Sequence, residues 1–209
     1  MHCLACHSEA ETQPAAILPF IQARMFQGEA PACELASCPA CGFAWFTARP
    51  SPEDARRFYR GYRGEFYQIE RQHYEPDYTA EFNASLEQPP TVVPDERRVL
   101  DYGGDGRYLT SEVRYAFNID GAPPATGVVA WVGQAVDAVL CCNVLEHVAE
   151  PVALVERLRK LGRLYIEVPV KRPTRALMHE HINFFTPESL RAMTGAEFTV
   201  AGQSILGVV

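Results

Sequence analysis

The sequence lacks the features that mark membrane, secreted and nucleic-acid-binding proteins. No apolar run reaches the roughly 18 residues that a membrane-spanning helix needs. The first residues, Met1 to His7, do not form a secretory signal peptide, so we expect a cytoplasmic protein without membrane contact. Basic residues are the minority, 19 Lys and Arg against 26 Asp and Glu, for a formal net charge of −7. This balance disfavours nucleic acid as a partner.

The remaining bulk properties are those of an ordinary globular chain. Its 209 residues suit one domain, or one domain with a small appendage, and 47% hydrophobic residues are enough to form a core. In a reducing compartment the seven cysteines are expected to be thiols or metal ligands rather than disulfides.

Two cysteine pairs have the spacing of zinc knuckles. Cys3 and Cys6 form the first pair, and Cys38 and Cys41 form the second. Each spacing lets both sulfurs reach one tetrahedral ion, so we predict a structural Zn²⁺ site in a small zinc-ribbon-like module over residues 1–50. A redox dithiol is the alternative for either pair taken alone. Three other residues could substitute as ligands, although four cysteines already complete a site: Cys33, His2 and His7.

Strands are predicted around the knuckles at residues 16–20, 34–36 and 42–46, and a helical connector is predicted over residues 51–95. Ser51 has the features of a helix cap, with Pro52 in the first turn. The aromatic-rich part of this connector, which ends near Pro90, is expected to cover the mouth of a site. We expect His73, within it, to be structural.

The segment from Arg98 to Leu109 organises the rest of the chain. An apolar run ends at Asp101 and is followed by Gly103, Gly104 and Gly106, which predicts a buried strand, a tight turn and the start of a helix. Glycine lets the backbone turn sharply and approach a ligand closely, as nucleotide sites require. Asp120 lies 19 positions beyond Asp101, where a carboxylate meets a ribose diol in a doubly wound sheet.

Two further strands follow in a specific order. Residues 135–148 contain LCCNVLEHV, a strand that runs into a polar turn before Pro151, and residues 162–169 read GRLYIEVP. In this order the motifs resemble the small-molecule branch of the class I S-adenosylmethionine-dependent methyltransferases. The knuckles with RPSPEDARRFY also resemble the amino-terminal module of bacterial methyltransferases that act on deoxysugars and related metabolites.

The resemblance implies an α/β fold with a Rossmann-like methyltransferase sheet over residues 96–209, and S-adenosylmethionine as cofactor. The implied cofactor-binding residues are Asp101, Gly103, Gly104, Gly106, Asp120 and Asn143. Two departures from the family pattern predict a reduced fold with an open pocket, which a protein partner could complete. The glycine turn DYGGDGR is one residue shorter than usual, and the 16 residues between Asp120 and Asp137 leave no room for the usual helix.

The stretch HEHINFFTPESL, from His179 to Leu190, resembles the loop in which sugar C-methyltransferases carry a His/Glu proton-transfer pair. We therefore predict His181 as the catalytic base, with His179 or Glu180 orienting it or sharing the proton. A zinc site at His179 and His181 is less favoured because the sequence shows no further ligand nearby. Glu146 and His147 are open between a capping and packing role and a role beside the substrate.

The sequence therefore predicts transfer of a methyl group to an oxygen or an acidic carbon of a polar small molecule. The alternative is a non-catalytic, degenerate methyltransferase fold that binds a partner and keeps a structural zinc. An RNA methyltransferase is a third possibility, which the acidic composition disfavours.

Overall fold

The computed structural model describes residues 1–29, 31–62, 64–78, 89–118, 121–177 and 180–209. The predicted mixed α/β architecture with a multi-stranded sheet is present. The helices are α1 (Pro19–Phe26), α2 (Pro52–Tyr59), α3 (Glu65–Tyr74), α4 (Pro151–Leu158) and α5 (Pro187–Thr194). No helix in these ranges is both long and apolar enough to span a bilayer.

The amino-terminal part forms a four-stranded antiparallel sheet in the order β1, β3, β4, β11. Its strands are β1 (Glu11–Pro14), β3 (Glu34–Ser37), β4 (Ala44–Phe46) and β11 (Asn183–Phe184). A short parallel pair joins β2 (Ala16–Ile17) to β10 (Ala176–Leu177). Segments from residues 1–50 and 96–209 thus share sheets, and the proposed three-part division of the chain stays a prediction.

The strand expected over residues 16–20 is only partly correct. It stops at Ile17, and α1 begins at Pro19, with Leu18 as its N-cap. Proline suits the first turn of a helix because it has no amide hydrogen to leave unpaired. The buried residues Phe20, Ile21 and Met25 then lie on one side of the helix, in a hydrophobic cluster that also contains Phe46 and Phe58.

The larger sheet has seven strands in the order β12, β13, β9, β8, β5, β6, β7. They are β5 (Arg98–Tyr102), β6 (Val113–Phe117), β7 (Val129–Ala130), β8 (Ala138–Cys142), β9 (Arg163–Pro169), β12 (Phe198–Ala201) and β13 (Ser204–Val208). Strands β5 to β9 pair in parallel, and the β12–β13 hairpin closes the sheet in antiparallel fashion. The strand order reverses between β5 and β8, the position where open α/β sheets bind ligands at their carboxyl edge.

The helix predicted to start at the glycine turn is wrong. Residues 103–112 form turns and bends that lead directly into β6, because this connection is at the lower limit of what a helical crossover requires. The connections from β6 to β7 and from β7 to β8 also contain no helix in their described residues. Within the described parts of these connections, α4 lies between β8 and β9 and α5 lies between β9 and β12. The reduced form of the methyltransferase sheet stays a prediction.

Arg49 joins the two sheets through a buried hydrogen-bond junction. Its guanidinium donates to the carbonyl oxygens of Val148 and Ala149, in the loop after β8, and to Asn183 Oδ1 at 2.7 Å. Asn183 is 1% exposed, and its amide nitrogen donates to the carbonyl oxygens of Leu145 (2.7 Å) and Val148 (2.8 Å). Burial lowers the pKa of Arg49 to about 10, partly offset by the negative charge of Glu150. This junction fixes the loop after β8 against the loop that precedes β11.

Replacing Arg49 should therefore destabilise the whole protein. We expect Arg49→Ala to lower the free energy of unfolding by about 3 kcal/mol, since buried carbonyl groups lose their donors. Arg49→Lys should recover part of this loss by reaching one acceptor. Urea unfolding of the zinc-loaded protein measures both. The control is Arg56→Ala, at an exposed position on α2, and an equal loss in that variant would contradict the junction.

Candidate functional site

The four predicted cysteines form one compact cluster whose sulfur atoms all lie within 4.8 Å of one another. Cys3 Sγ is 3.6 Å from Cys41 Sγ, and Cys6 Sγ is 3.5 Å from Cys38 Sγ. Sulfurs around a tetrahedral zinc, each about 2.3 Å from the ion, lie about 3.8 Å apart. The cluster could therefore hold Zn²⁺ after small side-chain shifts. It does not include Cys33, His2 or His7.

The two knuckles have matching local geometry. The residue after each pair, His7 or Gly42, has a positive φ, 63° and 73° respectively. Each donates its backbone amide to the carbonyl of the first cysteine in its pair, at 3.1 Å to Cys3 and 2.9 Å to Cys38. The second knuckle is also tied to the start of α5, because Thr186 Oγ1 donates to the Cys41 carbonyl at 2.7 Å. The cluster thus stabilises the contact between the amino-terminal sheet and the larger sheet.

At the carboxyl end of β5 the glycine turn closes around Asp101. This side chain is 8% exposed, and its Oδ2 accepts the Gly106 amide at 2.9 Å. A Cβ at Gly104 would overlap the Asp101 carboxylate, and Gly103 has a φ of +96° with Val144 packed against it. Burial raises the pKa of Asp101 to about 6, although the Gly106 amide opposes this and Asp105 adds to it. The turn is a tight backbone loop around a buried carboxyl group.

The loop after β8 places further polar residues at the same edge. Asn143 has a φ of +54°, and its backbone N–H donates a hydrogen bond to the backbone carbonyl of Glu167, on β9, at 2.9 Å. The Glu146 carbonyl accepts the amides of Ile182 (2.8 Å) and Asn183 (3.0 Å). These bonds connect the loop after β8 to the segment 180–183, which follows β10.

His181 consequently lies beside Glu146 and His147. One ligand atom from each of the three residues falls within a mutual distance of 4.8 Å, and the two imidazole rings are 4.6 Å apart at 77°. Glu146 is 1% exposed, and neither carboxylate oxygen has a hydrogen-bond partner in the described parts of the chain. Burial raises the pKa of Glu146 to about 8, while its own backbone amide and Lys171 oppose the shift.

Geometry assigns the proton on His147. Its Nδ1 is 3.2 Å from the Glu180 carbonyl oxygen, which can only accept, so Nδ1 carries the hydrogen. In the neutral ring Nε2 then presents its lone pair, and it lies 3.7 Å from Glu146 Oε1. An unpartnered buried carboxyl group and an imidazole lone pair therefore lie close together.

Glu180 is held by different groups. Its carboxylate is 2% exposed, accepts a hydrogen bond from the Tyr62 hydroxyl and lies 3.8 Å from Arg71 Nη1. Burial alone would raise its pKa, but His147, Tyr62 and Arg71 together lower it below the ordinary value. Arg71, on α3, also pairs with Glu75 at 2.9 Å. Glu180 thus links this loop to the helical connector.

The sequence-predicted site residues separate into two groups along this edge. Asp101, Gly103, Gly104, Gly106 and Asn143 lie at the ends of β5 and β8, and His181 lies across from them; Asp120 and His179 lie outside the described residues. The assigned roles stay predictions. The proximity of Glu146 and His147 to His181 was missed, although all three follow ends of adjacent strands β8 and β9.

No protein-family model and no curated protein matches the chain. Among solved structures the chain is similar to the N-terminal domain of EvdMO1 in the presence of SAH and D-fucose, with 15% identity and a TM-score of 0.33 over 54% of this chain and 74% of that one. A structure of the same domain with SAH bound gives 15% identity and a TM-score of 0.33, over 53% and 72%. Similarity at this level does not establish a shared activity.

Loss of one knuckle cysteine should remove the metal and destabilise the protein. We expect Cys41→Ser to lower the temperature of unfolding and to abolish the near-ultraviolet thiolate-to-metal absorption of the cobalt-substituted protein, since three sulfurs bind far more weakly than four. The matched control is Cys33→Ser, a half-buried cysteine outside the cluster. An unchanged cobalt spectrum in Cys41→Ser would contradict the zinc assignment.

The buried Asp101 should make stability depend on pH. Because its pKa rises from near 3.8 to about 6 on folding, the folded state holds the proton more tightly, and stability falls as pH rises between these values. We expect Asp101→Asn to remove this fall, on the order of 2 to 3 kcal/mol, while keeping an acceptor for Gly106.

Urea unfolding between about pH 4 and pH 7 provides the measurement. Asp137→Asn is the matched control, because the hydrogen bonds and ion pair with Arg98 lower the pKa of Asp137 below 3.8, so its contribution is already complete above about pH 4 and the wild type and this variant should have parallel profiles in this range. Parallel pH profiles for the wild type and Asp101→Asn would show that Asp101 titrates normally.

Proposed function

We propose that this chain binds S-adenosylmethionine at the carboxyl edge of the seven-stranded sheet and methylates an oxygen or an acidic carbon of a polar small molecule. The proposal rests mainly on two loops that come together between β5 and β8, where the strand order of the sheet reverses. There the glycine turn around Asp101 meets the loop that carries Glu146 and His147. Doubly wound sheets bind their ligands at this position.

The acceptor groups at this edge suit the charge of that cofactor. Its sulfonium and ammonium groups are cationic, and the edge offers the carboxyl group of Asp101 together with the side-chain amide of Asn143. The glycine turn adds a stretch of backbone at Gly103 and Gly104 with no side chain to block an approach. The residues present therefore fit the cofactor, and Asp120 is the proposed ribose partner.

The sheet supports the proposal at a coarser level. A parallel sheet with a reversal of strand order and a closing antiparallel hairpin is what the methyltransferase resemblance implies. The zinc module, the connector over residues 51–95 as a lid and a cytoplasmic location belong to the same proposal.

When bound, S-adenosylmethionine supplies a methyl group on a sulfonium leaving group. The protein must hold the acceptor in line and take up one proton from it. His181 is the proposed base, because it is half-buried at the ligand edge with its ring against His147. Glu180 is a positioning residue in this proposal, because its backbone carbonyl oxygen accepts the hydrogen bond that orients the His147 ring.

The non-catalytic scaffold is the competing function. The connections after β5, β6 and β7, which contain no helix in their described residues, are the observation that favours it. Saturable cofactor binding separates the two functions, because a scaffold has no need of it.

Cofactor binding and turnover should respond differently to His181. We expect calorimetric titration of the zinc-loaded wild type with S-adenosylmethionine to give micromolar affinity, on the order of −8 kcal/mol. His181→Ala should keep that affinity and lose at least about 100-fold in S-adenosylhomocysteine formation, as removal of a general base does. Turnover is measured over a panel of hydroxylated sugars, keto sugars and hydroxy acids.

His73→Ala is the matched control, since His73 is exposed on α3, away from the ligand edge. It should leave both binding and turnover unchanged. Full turnover in His181→Ala would remove this residue from catalysis, and the absence of any cofactor binding by the wild type would favour the scaffold.

A further inference from the structure

The cluster of Glu146, His147 and His181 has the composition of a metal site that is independent of the four cysteines. Three atoms no more than 4.8 Å apart all lie within about 2.8 Å of a common centre, against bonds of about 2.0 to 2.1 Å to a divalent metal. Inward shifts of less than about 1 Å, within the reach of side-chain rotation, would bring all three to bonding distance. The sequence argument against a metal at His181, the lack of a further ligand, no longer applies.

Glu146 supplies an observation of its own. Its carboxylate is almost completely buried, and neither oxygen has a hydrogen-bond partner in the described ranges. A buried carboxyl group without partners costs free energy, so native structures usually pair such a group or use it as a metal ligand. His147 Nε2 lies 3.7 Å from Glu146 Oε1, which is too far for a hydrogen bond.

The surroundings prepare His147 for coordination. The hydrogen bond between Nδ1 and the Glu180 carbonyl fixes the tautomer in which Nε2 carries the lone pair, and Nε2 lies 3.7 Å from Glu146 Oε1. Metal-binding histidines almost always donate their other ring nitrogen to a carbonyl or carboxylate in this way. The two backbone bonds from Ile182 and Asn183 to the Glu146 carbonyl hold the two loops in register.

We propose that Glu146, His147 and His181 bind one divalent first-row transition-metal ion. Two imidazoles and one carboxylate suit Zn²⁺, Fe²⁺ and Mn²⁺, whereas the cysteine cluster suits a thiolate-bound Zn²⁺. One carboxylate leaves a net positive charge on the bound ion, which the nearby carboxylates of Glu180 and Glu167 offset.

Three protein ligands leave coordination positions open. If the proposed methyl transfer holds, on which this step rests, those positions would bind oxygen atoms of the acceptor, and a divalent ion lowers the pKa of a bound hydroxyl group, which then releases its proton to water. In the metal-bound form His181 serves as a ligand in place of the general base, because its lone pair is on the ion. The substrate class narrows accordingly to molecules with two adjacent oxygens, such as vicinal diols, hydroxy ketones or 2-hydroxy acids. Methylation at oxygen is then favoured over methylation at carbon.

The test titrates the zinc-loaded protein with Mn²⁺ in the absence of S-adenosylmethionine, and the loss of the free Mn²⁺ electron paramagnetic resonance signal reports binding. Manganese prefers oxygen and nitrogen ligands, so it leaves the cysteine cluster undisturbed. We expect one Mn²⁺ per chain, with affinity reduced at least about tenfold in Glu146→Gln and in His181→Ala. His73→Ala should bind like the wild type.

Glu146→Gln keeps the shape of the side chain and replaces a carboxyl group with a neutral amide, so it should fold, and circular dichroism verifies this. The proposal is overturned if folded Glu146→Gln binds Mn²⁺ as tightly as the wild type, or if the wild type binds no Mn²⁺, Fe²⁺ or second Zn²⁺. Metal binding without any S-adenosylmethionine binding would support the metal site and refute the methyltransferase proposal. Failure of the metal-site proposal and failure of the methyltransferase proposal therefore give different results.

Discussion

The arrangement of this molecule depends on one buried polar junction, in which Arg49 and Asn183 satisfy the carbonyl groups of the loop after β8. A loop that is packed between two sheets cannot leave its backbone oxygens unpaired, because each would lose its hydrogen bond to water. Arg49 is suited to this because one planar guanidinium reaches several acceptors at once. The position of Glu146 and His147 follows from that constraint, since they lie in the loop that the junction holds.

Local features of the site could be predicted from the sequence. The spacing of Cys3, Cys6, Cys38 and Cys41 is set within each knuckle, and the glycine turn and its preceding strand depend on neighbouring residues. The capping residue Ser51 likewise starts a helix where expected, because a cap acts on amides only two or three residues away.

Features that depend on distant pairing could not be predicted in this way. Nothing near Asn183 indicates that it begins a strand beside Trp45, and nothing near Glu146 indicates that it meets His181. The helix predicted after the glycine turn is absent for a different reason. The turn forms as the local sequence indicates, but β6 begins only about ten residues later, which leaves too little chain for a helix. Connection length was the available signal.

The pairing of β11 with β4 also constrains the order in which the chain can fold. Asn183 lies opposite Trp45, so the amino-terminal sheet gains its fourth strand only after more than half of the chain has followed it. During synthesis the cysteines of the cluster emerge well before residue 183 and could bind a metal by then, whereas the Asn183 acceptor of Arg49 lies 134 residues further along the chain. Contacts of such sequence separation close slowly because a long loop must be ordered first. The amino-terminal sheet is therefore completed late, and until β11 pairs with it, the edge of β4 that β11 later covers is unpaired.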